Sequence, residues 1–348
     1  MNDLFFPELY DLRLENLPQL TGFCARSLTD FPSLRWLVIK KCPDLKSFIS
    51  NTARDQRILA AESQREAIPL FDDKVKLPNL ERLLIEEMDN LEKLWNSQLA
   101  PDAFSKLDYF AVWNCKKLLT VFPSNMINRL QRLDRMRVNC CHSLKSIFEP
   151  LGPELPESRS AIPKFVFPQV TVLEIWDIPE LRSIYPGMHT TEWPLLKRMH
   201  LHGCDKVSVF ASGAPWFLQT QRDEQTEISI QHPLFLVDEE TFPNLEELKL
   251  ERIDAMTEIW HGKFSALLPN LEKLNMSEAP FEYIFQSREG AKEEIRARRL
   301  TKLSELKLSK LPELKHLLKE EHEPGLVLPG LRPEQIVSII FKNLTVLE

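Results

Sequence analysis

The feature of this sequence that most constrains its fold is one frame of apolar residues that recurs from end to end. The frame reads L-x-x-L-x-L-x-x-(C/L)-x-x-L-x-x-(I/F), and it is found about ten times in 348 residues. Its first position falls at Leu9, Leu34, Leu80, Leu107, Leu133, Val170, Leu196, Leu245, Leu271 and Leu303. Copies that follow one another directly are about 26 residues apart, a period that indicates a stack of similar units rather than one globular core.

Each copy predicts a short strand followed by a return of the chain across the core. The L-x-L segment alternates apolar and polar residues, as a strand with one buried face does, whereas the next apolar positions come every third residue. Such a unit buries its apolar face only when a neighbour stacks on it. The sequence therefore predicts an α/β leucine-rich-repeat solenoid, a horseshoe or open arc with short parallel strands on its concave face. Irregular or short helical segments are expected on the convex face.

We predict a single array over residues 1–348, interrupted by charged insertions that lie on the surface. The insertions are expected near residues 49–76, 149–166, 211–241, 286–299 and 318–340. None is long enough for a second domain, and the composition of residues 54–68 favours a short helix. The segment FKNLTVLE, which begins at Phe341, resembles the start of a further repeat. The sequence is therefore interpreted as a fragment or truncated product whose C-terminal repeat is cut off.

Composition and the cysteine pattern limit the function. A net charge of -7 gives no reason to expect nucleic acid, because phosphate binding requires clustered excess Lys and Arg. The six cysteines include no C-x-x-C pair, and Cys42, Cys115, Cys141 and Cys204 share one apolar frame position, which indicates buried structural thiols. The N-terminal segment has neither the charge pattern of a signal peptide nor the length of a membrane span. We expect a cytoplasmic location, with the nucleus as the alternative.

Frame positions 3, 5 and 7 point away from the core and are predicted to line the concave face. Aromatic and arginine residues at these positions concentrate in the second to seventh copies. The candidate protein-binding residues are Trp36, Arg82, Tyr109, Trp113, Arg135, Arg137, Trp176, Arg198 and His200. Because Trp, Tyr and Arg dominate interface hot spots, alanine at Trp113 or Trp176 is expected to weaken partner binding about tenfold or more. The alternative is that neighbouring loops cover these rings.

No pattern in the sequence predicts catalysis, a cofactor or a metal site. His200, His202 and Cys204 lie in the segment HLHGC, and both imidazoles leave the strand on one side, but Cys204 occupies a core-facing frame position. Carboxylates such as Glu86 and Glu251 are scattered over exposed positions without an enclosing pocket. The sequence contains no G-x-x-x-x-G-K-[ST] phosphate loop. We predict that the chain is not an enzyme.

The amino-acid sequence of the repeats shows a more specific resemblance. Segments such as FPNLEELKLERIDAMTEIWHGKF and NCKKLLTVFPSNMINRLQRLDRMRVNCCHSLKSIF resemble the C-terminal repeats of plant coiled-coil nucleotide-binding leucine-rich-repeat (NLR) disease-resistance proteins. The resemblance covers nearly the whole chain and rests on the alternation of F-P-x-L-x-x-L-x-L units with C-x-x-L-x-x-[LIV]-F units. It implies a region that binds a pathogen effector or a guarded host protein. It also implies that the repeats hold a nucleotide-binding module, absent from this chain, in its resting state.

A second interpretation uses the same concave surface for another purpose. A repeat-only adaptor, such as the substrate-recruiting arm of a ubiquitin ligase, would bind a client protein there and deliver it for modification. No F-box-like helical segment is seen before the repeats, which favours the immune-receptor interpretation. Both interpretations predict protein partners, with no nucleic acid and no membrane span.

Overall fold

The chain forms two compact units, Met1–Pro156 and Glu157–Glu348. The computed structural model describes residues 6–24, 31–49, 67–150, 163–187, 189–207, 210–212, 234–236, 241–254, 259, 268–288, 302–321 and 346–347. Nearly all of the helix predicted over 54–68, and the inner part of each predicted insertion, lie outside these residues.

The first unit is built on five parallel strands of five residues each, and strands that are neighbours in the sheet follow one another in chain order. In chain order its elements are β1 (Asp11–Glu15), β2 (Gly22–Cys24), β3 (Trp36–Lys40), β4 (Ser47–Ile49), β5 (Pro69–Phe71), β6 (Arg82–Glu86), β7 (Lys93–Trp95), β8 (Tyr109–Trp113), β9 (Thr120–Phe122), two short 3-10 helices (Ser124–Asn128 and Leu130–Arg132), β10 (Arg135–Asn139) and β11 (Ser146–Phe148). The long strands fall on the L-x-L segments of the frame, as predicted.

The second unit repeats this plan: five parallel strands of five residues each and a last strand of two residues are neighbours in chain order. Its elements are β12 (Lys164–Val166), β13 (Val172–Trp176), β14 (Thr190–Glu192), β15 (Arg198–His202), β16 (Ala211–Ser212), β17 (Phe235–Leu236), β18 (Glu247–Glu251), β19 (Lys273–Ser277), β20 (Tyr283–Arg288), β21 (Glu305–Ser309), β22 (His316–Glu321) and β23 (Val346–Leu347). Parallel neighbouring strands with intervening returns confirm the predicted leucine-rich-repeat solenoid.

Burial alternates along the long strands as the frame predicts. In β6, Leu83 and Ile85 are fully buried and Arg82 is exposed, because successive side chains of a strand leave opposite faces of the sheet. Frame positions 3, 5 and 7 thus form an exposed sheet face in each unit. Two residues depart from this pattern, since Ala111 and Val172 occupy face positions but are buried. Ala111 is short and lies between longer side chains on the two neighbouring strands.

Besides irregular segments and two short 3-10 helices, the return side of the repeats contains short strands that the sequence did not predict. Short strands pair in parallel there, as β2–β4, β5–β7 and β9–β11 in the first unit and β12–β14, β16–β17 and β20–β22 in the second. The edges of the predicted insertions join this side: Leu70, Phe71, Phe165 and Phe235 are buried in the core. The described ends of the predicted insertions thus contribute buried side chains to the core. Each such end supplies a strand and apolar contacts to a neighbouring repeat.

The residue after each long strand adopts a left-handed backbone conformation. These residues are Asn16, Lys41, Glu87, Asn114, Cys140, Asp177, Gly203, Arg252, Glu278 and Lys310, with φ between 50° and 60°. The amide of this residue donates to the neighbouring repeat; Asn16 N, for example, donates to Lys40 O at 2.9 Å. Position 8 of the frame has no fixed residue type, so this bend could not be predicted from the frame.

Replacing Gly203 with alanine is expected to lower the free energy of unfolding by about 1–3 kcal/mol. An added Cβ would lie 2.7 Å from Asp177 Oδ1 and 3.2 Å from Asp177 Cα, in addition to the positive φ. Lys310→Ala is the matched control, because residue 310 has the same backbone conformation with a side chain already present. Thermal unfolding followed by circular dichroism should show a large shift for Gly203→Ala and a small one for Lys310→Ala. Equal shifts would mean that the close approach to Asp177 carries no cost.

The four frame cysteines are core residues, in agreement with the sequence interpretation. Cys42, Cys115, Cys141 and Cys204 are fully buried, and each thiol donates to the carbonyl oxygen two residues before it, at 3.3–3.6 Å. Burial raises the pKa of the Cys204 thiol to about 12, so the nucleophilic thiolate is not populated at neutral pH. These thiols fill the bend after the strand and close its hydrogen bonds.

Candidate protein-binding surface

Six of the nine predicted binding residues lie on the exposed sheet face of the first unit. The parallel register places frame position 3 of successive strands side by side, in the order Trp36, Arg82, Tyr109 and Arg135. Neighbouring strands are about 4.8 Å apart, so these side chains form one continuous row. The other two predicted residues lie beside this row: Arg137 is at frame position 5 of β10, and Trp113 is at frame position 7 of β8. The fold therefore brings these six side chains together.

Arginine side chains pack on the aromatic rings within this row. The guanidinium carbon of Arg82 lies 5.0 Å from the centroid of the Trp36 ring, and that of Arg137 lies 5.9 Å from the centroid of the Tyr109 ring. Both distances fall within the range of cation–π attraction, which holds a long side chain in a defined place. The half-burial of Trp36 and Tyr109 thus involves arginines of the same face.

Trp113 lies at frame position 7 of the same exposed face, at the C-terminal end of β8. Its ring is half-buried, and its Nε1 is buried without a hydrogen-bond partner among the described residues. Its register neighbours are Glu86 on one side and Asn139 on the other. Glu86 accepts a hydrogen bond from Lys40 Nζ at 2.8 Å, which neutralises the carboxylate beside the ring. An indole with one face near solvent and little local charge suits contact with an apolar group of a partner.

The remaining three predicted residues lie on the exposed sheet face of the second unit. Trp176 is 40% exposed, which is the largest exposure of any described tryptophan on the predicted surface. Its ring centroid lies 6.3 Å from that of His202. Arg198 is exposed, whereas His200 is half-buried with its Nε2 at 3.1 Å from Glu247 Oε1. The second unit therefore presents one open ring near two imidazoles, each of which lies close to a carboxylate.

Charges on the last strands of the second unit cancel one another. The face positions of β18, β19 and β21 include three lysines and three glutamates. Ion pairs join Lys249 to Glu251 at 3.0 Å and Glu305 to both Lys273 (3.7 Å) and Lys307 (3.4 Å). Exposed pairs of this kind contribute little to stability, but they remove isolated charge from the face. This part of the sheet is hydrophilic and locally balanced, unlike the arginine-bearing face of the first unit.

Sequence reasoning missed one group at the edge of the first unit's face. Tyr10 stands at frame position 2, its ring centroid lies 6.0 Å from that of Trp36, and the guanidinium carbon of Arg35 lies 5.8 Å from the Tyr10 ring. Tyr10 is exposed. The signal was available in the sequence, because position 2 precedes the face and a long side chain there can reach over it. Tyr10 therefore extends the aromatic surface toward β1.

The structure gives no support to a metal site at the segment HLHGC. Among the residues that the structure describes, no group of three or more His, Cys, Asp or Glu side chains could hold a metal ion. His202 Nδ1 lies 3.1 Å from Asp177 Oδ1 and His200 lies beside Glu247, while Cys204 is buried on the opposite side of the sheet. The ligands that the alternative required are directed to different places.

The fold and this face define the chain's class: it is a leucine-rich-repeat solenoid that displays aromatic and charged side chains on a rigid parallel sheet. No helix among the described residues is both long and apolar enough to cross a bilayer. A family model described as plant disease resistance protein RPS2-like, leucine-rich repeats, matches residues 79–214 and 217–338. The chain belongs to this family. In comparisons with curated proteins and with solved structures, nothing matches the chain.

Proposed function

We propose that this chain is the protein-binding recognition region of an intracellular plant immune receptor of the NLR class. In this proposal it senses a pathogen effector or a guarded host protein and contributes to the autoinhibition of a nucleotide-binding module absent from this chain. It acts in the cytoplasm or the nucleus, and it carries out no catalytic step and uses no cofactor. Membership of the disease-resistance repeat family and the composition of the first unit's exposed sheet face support the proposal.

The observation that carries this proposal is the row of aromatic and arginine side chains on the first unit. Trp36, Arg82, Tyr109 and Arg135 occupy register-paired positions on a sheet whose backbone is fixed by hydrogen bonds on both sides of each inner strand. Few residues at an interface carry most of the binding energy, and Trp, Tyr and Arg are enriched among them. Because the sheet is preorganised, the receptor loses little conformational entropy when a partner binds to it.

Alanine at Trp113 or at Trp176 is expected to weaken binding of an identified effector or guarded protein by about tenfold or more. Each substitution removes a large ring from the exposed sheet face of one unit, so the two variants also show which unit makes the contact. Surface plasmon resonance with the purified partner measures the affinity.

Two exposed leucines off the face provide matched controls. Leu119 in the first unit and Leu195 in the second are exposed but occupy neither position 3, 5 nor 7 of the frame. Leu119→Ala and Leu195→Ala should bind the partner with wild-type affinity. An unchanged affinity in both tryptophan variants, or an equal loss in the leucine variants, would exclude the face as the recognition surface.

Autoinhibition is tested separately from partner binding. Co-expression of this chain with the nucleotide-binding module of a related receptor in leaf tissue is expected to suppress the cell death that the isolated module causes. The readout is ion leakage from leaf discs. Leakage that this chain leaves unaltered would remove the regulatory part of the proposal while leaving recognition intact.

A further inference from the structure

Two buried thiols lie next to each other in the core of the first unit. Cys115 follows β8 and Cys141 follows β10, each two residues after the register pair of Trp113 and Asn139, so the two cysteines occupy the same frame position of neighbouring repeats. Both side chains are fully buried, and neither is in a disulfide. The two thiols hydrogen-bond to each other. We call Cys115 and Cys141 the thiol pair.

The other two frame cysteines have no cysteine at this frame position in the repeats beside them. The repeats on either side of Cys204 carry Ile178 and Ile253 there, and those beside Cys42 carry leucine and methionine. Burial raises the pKa of the Cys204 thiol to about 12. The hydrogen bond from Cys115 instead lowers the pKa of the Cys141 thiol below its usual value. Because oxidants attack the thiolate, the thiol pair is the more reactive site at equal burial.

The spacing of the repeats suits a covalent link between the two sulfurs. Neighbouring strands of a sheet are about 4.8 Å apart, and cysteines joined by a disulfide have Cα atoms about 4.4–6.8 Å apart. Their Cβ atoms are about 3.5–4.5 Å apart, which is closer than stacked repeats place them. The two side chains must therefore lean together when the bond forms. A disulfide that stores such strain is easily reduced again.

We infer that Cys115 and Cys141 form a reversible redox site, at which oxidation joins two neighbouring repeats through a disulfide. With hydrogen peroxide as the oxidant, the Cys141 thiolate attacks one peroxide oxygen and the O–O bond breaks. Cys141 becomes a sulfenic acid, and the departing hydroxide takes up the proton that the thiol released. The Cys115 sulfur then attacks the sulfenic sulfur, and the hydroxyl group leaves with the Cys115 proton as water. Two thiols and one peroxide thus give one disulfide and two water molecules.

Solvent reaches the chain one residue away from the thiol pair. Cys140 occupies the bend after β10, where it is half-buried and has a φ of 52°. A local opening of this bend exposes Cys141 to a molecule as small as peroxide. The link would join the repeats that carry Trp113 and Arg137, on the core side of the sheet. The inference concerns the core and does not depend on the proposed function.

The test uses the whole reduced chain, which is treated with hydrogen peroxide, alkylated with iodoacetamide and digested with trypsin without reduction. One tryptic peptide, residues 107–116, contains Cys115, and another, residues 138–145, contains Cys140 and Cys141. We expect mass spectrometry to detect these two peptides joined, with the loss of two hydrogen atoms. If the joined peptides do not form in a chain that circular dichroism shows to be folded, the inference is wrong.

Single variants assign the bond to one pair of sulfurs. C115S and C141S should each abolish the joined peptides, whereas C140S should retain them. The alanine variants C115A and C141A repeat the test with a side chain that tolerates burial, and circular dichroism verifies that each variant folds. A link that is lost in C140S but retained in C141S would overturn the assignment.

Cys42 and Cys204 serve as internal controls, because they share the frame position and the burial of the thiol pair. Each should be oxidised at least about tenfold more slowly than the pair, measured by the alkylation of its peptide. Equal oxidation of all four cysteines would show general opening of the chain and would contradict the inference. Reduced glutathione should restore the free thiols in the folded chain; a bond that persists would exclude a reversible site.

Discussion

Replacing Trp95 with alanine is expected to lower the free energy of unfolding by about 3–5 kcal/mol. Trp95 is 1% exposed and ends β7, with its ring centroid 4.6 Å from that of Phe104, 5.1 Å from Phe71 and 6.0 Å from Phe122. Its Nε1 also donates to Val121 O at 2.7 Å. The substitution therefore leaves a cavity in the aromatic core and an unsatisfied carbonyl, which are separate costs. Urea unfolding followed by circular dichroism measures the loss.

The same substitution at an exposed tryptophan provides the control. Trp176 is 40% exposed, so Trp176→Ala should cost less than about 1 kcal/mol, although it removes the same side chain. Trp95→Phe keeps most of the packing but not the hydrogen bond to Val121, and its effect should lie between the two. If Trp95→Ala and Trp176→Ala unfold at the same urea concentration, the aromatic interior does not stabilise the stack as we describe.

The long strands could be predicted from sequence because their burial is periodic. An L-x-L segment such as Leu12–Leu14 shows inside and outside positions directly, and each long strand of the structure lies on such a segment. The short strands of the return side have three residues or fewer in most cases and no periodicity to detect. Two of these strands, Pro69–Phe71 and Lys164–Val166, pair with strands of other repeats. Contacts between residues so far apart in sequence cannot be inferred from a local pattern.

The sequence could predict which residues form the exposed face but not which of them contact one another. The alternation of inward and outward side chains along each strand predicted Trp36 and Arg82 as face residues, and the structure agrees. Their cation–π contact joins residues 46 positions apart in sequence, across an insertion whose length hides the fact that their strands are neighbours. Side-chain rotamers, which no frame specifies, then decide that the arginine lies over the ring. The division into two units was also invisible, because the repeat frame has the same form in both.

Replacing Phe31 with alanine is expected to destabilise the first unit by about 3–4 kcal/mol, whereas Phe6→Ala should cost about 1 kcal/mol or less. The two phenylalanines occupy the same frame position, since each precedes the proline of an F-P-x-L segment. Phe31 is 3% exposed and its ring centroid lies 5.9 Å from those of Phe23 and Phe48. Phe6 is 46% exposed, and its ring centroid lies 6.4 Å from that of Phe23.

The comparison isolates the contribution of stacking, because sequence context and residue type are the same at both sites. A repeat buries its apolar face against a neighbour, and β1 stands at the end of the first unit's strand order with β3 beside it. Phe31 is covered from two sides, and the alanine variant must leave a cavity between layers. Urea midpoints of the two variants give the difference. A cost for Phe6→Ala as large as that for Phe31→Ala would mean that a further layer covers the first repeat in solution, so that the end of the stack is closed there.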